Sequence, residues 1–116
     1  MSKPMTFPQL KGLENVLLNL YRERECQHKQ WGEQNHPDGT GGKRAELDAE
    51  DARSRCEYVF AAGGGTWRHL LAEEVAEAFA ETDPAKLRAE LIQVAALACQ
   101  WVEAIDRRQS KGKPRG

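Results

Sequence analysis

Thr82-Asp83-Pro84 cuts an apolar repeat in two, and this break constrains the chain more than any other feature. Leu71, Val75 and Ala78 lie before it, and Leu87, Leu91, Val94, Ala98, Trp101 and Ile105 lie after it, each set at the three-and-four spacing of one helix face. Asp83 is a good cap for the second helix. Pro84 suits its first position, because proline fixes φ and no amide donor is needed there. Thr66 caps the preceding helix in the same way, so that helix is expected from Trp67 to about Glu81. A connection of a few residues makes the two helices an antiparallel hairpin.

Upstream, Leu10, Leu13, Leu17 and Leu20 repeat at helical spacing, with Trp31 continuing the stripe and Gly32 stopping it. The stretch 32–44 is dense in turn formers and is expected to be a long loop. Ala52, Cys56, Val59 and Phe60 define a second helix that ends before Gly63-Gly64-Gly65, a plain helix break. No alternating strand pattern or internal repeat competes. The expected fold is all-α, a four-helix bundle, with residues 1–106 forming a single helical domain. The last ten residues carry five basic and no acidic side chains, and read as a disordered basic tail over 107–116 that serves solubility.

Composition bounds the function classes. With 116 residues, 40% apolar, 30% charged and a net charge of -1, the chain is neither a strongly basic duplex-binding protein nor an acidic disordered segment. No apolar run approaches the ~20 residues of a membrane span, and the first ten residues lack a signal-peptide core. Cys26, Cys56 and Cys99 are far apart and odd in number, which points to a reducing cytoplasm and away from a disulfide framework. So small a domain covers little apolar surface by itself. The seam ending at Trp101 and Ile105 therefore predicts a homo-oligomer.

The chemistry concentrates in the hairpin, where residues 67–106 carry three basic and eight acidic side chains, a net of -5. At 100° per residue, Glu74 and Glu77 fall at about -60° and -120° from Leu71, and Glu90 and Gln93 at about -60° and -120° from Leu87. Antiparallel helices are related by a two-fold axis, so equal offsets fall on the same side. Counted outward from the turn, Glu77 and Glu90 share one level, and Glu74 and Gln93 share a deeper one. Four oxygen-bearing side chains thus converge beside the core, whereas Glu73, near -160°, points away from it. A Glu-rich helix is commonly a solvated face, but matched offsets and depths are not what a random surface gives. Repulsion between acids one turn apart, made worse by partial burial, is relieved by a divalent cation. Oxygen donors without clustered His or Cys select a hard ion, Mg²⁺ first and Mn²⁺ second.

Glu73-Glu74-Val75-Ala76-Glu77 followed by Glu90-Leu91-Ile92-Gln93 resembles the E-E-x-x-E and E-x-x-D pattern of the MazG-like all-α nucleoside triphosphate pyrophosphohydrolases. The resemblance covers Thr66 to Arg108 and is looser over the first helix and Trp31-Gly32-Glu33-Gln34. It implies that Glu74, Glu77 and Glu90 hold Mg²⁺ and act in catalysis, with Gln93 at the fourth ligand position. It also implies attack of a metal-activated water on the α-phosphorus of a nucleoside triphosphate, releasing pyrophosphate and a nucleoside monophosphate. A homodimer or homotetramer, with helices completing each other's bundle, is implied as well. Gln93 departs from the family's Asp. Being neutral, it weakens metal binding and cannot act as a base, which leaves open a non-catalytic nucleotide-binding or helical interaction protein.

Substrate contacts are expected from the first helix and the loop, with Trp31 stacking on a base and Arg24 and Lys29 neutralising phosphate oxygens. For Trp31, a core position ending the stripe is an equal alternative. His36 and Asp38 sit in turn chemistry, and His69, one turn after Thr66, reads as structural. Zinc held by Cys26, His28 and His36 lacks a fourth ligand and a usual spacing.

Overall fold

The computed structural model describes residues 3–4 and 7–112, apart from the side chains of residues 7–10 and 112. Its described residues form four helices and no strand: α1 Phe7–Trp31, α2 Lys43–Ala61, α3 Trp67–Ala80 and α4 Pro84–Gly112. The all-α expectation therefore holds, and among the described residues no helix is long and apolar enough to cross a membrane.

The helix ends follow the local chemistry read from the sequence. Thr66 Oγ1 accepts a hydrogen bond from the His69 amide at 3.3 Å and lies 2.7 Å from His69 Nδ1, so His69 belongs to the cap. Asp83 Oδ2 accepts from the Lys86 amide at 3.0 Å, with Pro84 opening α4. Glu81 Oε1 accepts from the amides of Thr82 and Asp83 at 3.2 and 3.0 Å, which ties the short connection down. Gly32, at φ +67°, ends α1 and donates to the His28 carbonyl at 2.7 Å.

The chain divides into two compact units, Pro37–Ala98 in one and Met1–His36 with Cys99–Gly116 in the other. Within the first, α2 packs on α3, and Ala49, Cys56, Ala78 and Leu87 are buried. The loop segment before α2 is pinned to the end of α3: Thr40 Oγ1 donates to the Glu81 carbonyl at 2.6 Å and the Gly41 amide to the Phe79 carbonyl at 2.8 Å. Gly41 has φ +92°, and a β-carbon there would run into Thr82 Cγ2, so the close approach requires glycine.

Several boundaries and faces differ from the expectation. The irregular stretch ends at Gly42 rather than 44, since Lys43 and Arg44 already belong to α2. Residues Arg107–Gly112, expected in the disordered tail, continue α4; Arg, Gln and Lys are good helix formers, and basic side chains suit a helix C-terminus. Residues 113–116 lie outside the described residues. On α1 the buried residue is Val16, 3% exposed, while Leu17 and Leu20 face water and the Leu10 side chain is outside the description. On α4, Leu87 is buried but Leu91 is exposed and Cys99 is buried instead. Val94, Ala98, Trp101 and Ile105 are half-buried along the Leu87 face, and Cys99 lies about 120° around the helix from Leu87.

Candidate metal centre

Helix α3 presents Glu74 and Glu77 one turn apart, and the start of α4 presents Glu90. One carboxylate oxygen from each lies within 4.8 Å of the other two, and all three residues are half-buried. Among the described residues these are the acids, histidines or cysteines grouped closely enough to share a metal ion. The equal offsets read from the sequence thus bring three of the four expected ligands together. Gln93, the fourth, is exposed one turn further along α4.

The cluster is electrostatically costly. Burial, then the charges of Glu77, Glu90 and Glu73, push the Glu74 carboxyl above its ordinary value. Burial and the charges of Glu73 and Glu90 push Glu77 up as well, against a smaller opposing effect of Arg53. The Oε2 atoms of Glu74 and Glu90 are buried without a hydrogen-bond partner. Unpartnered buried carboxylate oxygens are rare because each loses its hydration without replacement. An all-oxygen donor set with two orphaned atoms is one that could hold a hard divalent cation.

Sequence reasoning missed two neighbours from α2. Arg53 Nε lies 3.7 Å from Glu77 Oε1, and Arg53, Glu77 and Glu90 line one surface concavity with Ala49, Ala80 and Glu81. Glu73 does not simply face away from the core. It is half-buried and hydrogen-bonds the Cys56 thiol, which burial and this carboxylate push up to about 11. Cys56 is therefore held as a thiol, the reverse of an activated nucleophile. No local spacing announces either contact, since both arise where α2 crosses α3.

Arg24, Lys29 and Trp31 lie near the end of α1, in the other compact unit. Trp31 is 58% exposed in the single chain. Arg24 donates to Gln27 Oε1 at 2.7 Å and shares a surface concavity with Trp31, His28 and Gln34, whereas Lys29 is exposed outside that lining. His36 Nε2 lies 3.1 Å from Gln34 Oε1, and Asp38 is exposed in the loop. Cys26, His28 and His36 form no metal-binding group among the described residues, and the three cysteines are free. Comparison with family models, with curated proteins and with solved structures gave no match.

Proposed function

We propose that the chain is a MazG-like nucleoside triphosphate pyrophosphohydrolase whose Glu74, Glu77 and Glu90 hold Mg²⁺, with Mn²⁺ as a substitute. The observation that carries this reading is the convergence of those three carboxylates, two with buried unpartnered oxygens, at the positions of the acidic motif. The reaction is hydrolysis between the α- and β-phosphates: water adds to the α-phosphorus, and pyrophosphate leaves a nucleoside monophosphate. When bound, the cation supplies the positive charge without which the acidic hairpin repels a triphosphate. Glu74, Glu77 and Glu90 anchor it, and proton acceptance falls to this cluster because the Gln93 amide cannot take a proton. The setting is a reducing cytoplasm, in keeping with three free cysteines. A homodimer or homotetramer is part of the proposal, supported by exposed Leu17, Leu18, Leu20, Tyr21, Leu91 and Ile92.

The exposed, neutral Gln93 favours a second reading, a nucleotide-binding protein of the same fold that does not turn its ligand over. A panel of nucleoside triphosphates with Mg²⁺, read as pyrophosphate release, separates the two. Turnover supports the enzyme, Mg²⁺-dependent binding without turnover supports the binding protein, and neither result leaves the family reading standing only on its motif. Gln93→Asp adds a carboxylate, so tighter Mg²⁺ binding and faster release are expected of a slow enzyme. Unimproved release counts against that version alone.

A further inference from the structure

The acid cluster already carries a cation of its own. Arg53 reaches Glu77 from α2, on the wall of the concavity that Glu77 and Glu90 also line. The contact is loose: its 3.7 Å separation exceeds the ~2.7–2.9 Å of a strong charge-assisted hydrogen bond, and the Arg53 side chain is 51% exposed. The guanidinium cannot leave by losing its proton, because it stays charged at any working pH. It leaves Glu77 only by displacement. Ala49 and Ala80, the smallest side chains in the wall, leave room for a long arm to turn.

We propose that Arg53 is an exchangeable counter-ion, paired with Glu77 in the metal-free protein and displaced when a divalent cation takes the cluster, whereupon its guanidinium turns into the concavity to grip phosphate oxygens of the triphosphate. This inference rests on the metal and substrate class proposed above. Two positive centres against one carboxylate repel each other, so the tighter, doubly charged one displaces the weaker. A freed, planar guanidinium then finds in a phosphate two oxygens for the bidentate contact that Glu77 does not give it at 3.7 Å. The exchange couples the two ligands, because metal binding frees the group that receives the anion.

Titration calorimetry on the full chain with Mg²⁺ alone, and then with inorganic triphosphate at saturating Mg²⁺, tests this. Arg53→Met is expected to bind Mg²⁺ about three- to fivefold more tightly, the range set by losing a half-exposed ion pair. The same variant is expected to bind triphosphate at least about tenfold more weakly, as for a lost charge-assisted bond. Its metal-free melting temperature falls while its Mg²⁺-induced rise grows, a pair of shifts that a merely structural arginine does not produce. Arg53→Lys, which keeps the charge but not the fork, falls between. Unchanged or weaker Mg²⁺ binding in Arg53→Met, or unchanged triphosphate binding, overturns the exchange. A wild-type chain that binds no Mg²⁺ overturns the metal reading with it, so the two failures are distinguishable.

Discussion

The two compact units depart from a self-sufficient globule in opposite directions. Residues 37–98 draw charge inward: Glu74, Glu77 and Glu90 are half-buried and mutually repelling beside a core of Ala49, Cys56, Ala78 and Leu87. The unit of α1 and the end of α4 leaves apolar surface outward. Val16 and Cys99 are its buried hydrophobics among the described residues, while Leu17, Leu18, Leu20, Tyr21 and Trp31 face water. The 37–98 unit exposes as many large apolar side chains, Leu47, Tyr58, Phe60, Phe79, Leu91 and Ile92, but it buries four hydrophobic residues to the other unit's two among the described residues. Each departure has a physical cost and a corresponding remedy. A cation relieves crowded carboxylates, and a second apolar surface relieves exposed leucines.

The sharpest way to break this comparison is to remove one of the inward charges. Glu77→Gln is expected to reduce Mg²⁺-dependent nucleotide binding and pyrophosphate release at least about 100-fold, since a direct ligand matters no less than the residues that orient one. Calorimetry showing equal Mg²⁺ binding by Glu77→Gln and the unaltered chain defeats the shared site.

A smaller effect contrasts the two units directly. Leu87→Ala, at a position 7% exposed, is expected to cost about 2–5 kcal/mol in denaturant unfolding. Leu17→Ala, at 51% exposure, is expected to cost less than about 1 kcal/mol in dilute solution, with the cost growing as protein concentration rises if a second copy covers that face. Equal, concentration-independent losses at the two positions erase the difference between the units.

Between the helices of the hairpin, Asp83→Ala removes the cap on the Lys86 amide and is expected to cost about 1 kcal/mol, read as a lower melting temperature. The smallest effect is one of pH. The folded chain holds the Glu74 and Glu77 protons more tightly than the unfolded chain does, because both groups are raised from 4.5. Their stabilising contribution is fully present below about 4.5 and is lost as pH rises through the raised folded values. Glu74→Gln cannot ionise. In metal-free protein at pH 7 it is expected to gain about 0.5 kcal/mol, with a flatter pH dependence above 4.5, and Mg²⁺ is expected to cancel the gain. A loss of stability at pH 7 contradicts the electrostatic account.

What was legible in the sequence was local or symmetric. The caps at Thr66 and Asp83, the Pro84 start and the Gly32 stop involve groups within about one helical turn of each other, so residue identity and spacing determine them. The meeting of Glu74, Glu77 and Glu90 was legible for a second reason: a short connection imposes an antiparallel pair, and helix periodicity then determines which side chains share its side. Tertiary structure alone decided the rest. Whether α1 buries Val16 or Leu17 depends on what covers it, since both sit on a broad apolar stripe. That Arg53 meets Glu77 and Cys56 meets Glu73 depends on how α2 crosses α3, with the glycine break and parts of both helices between the partners in sequence. Periodicity gives each helix a face but no angle to a helix it is not tightly tethered to; that angle is settled by packing, which sums weak contacts along the whole length of both helices.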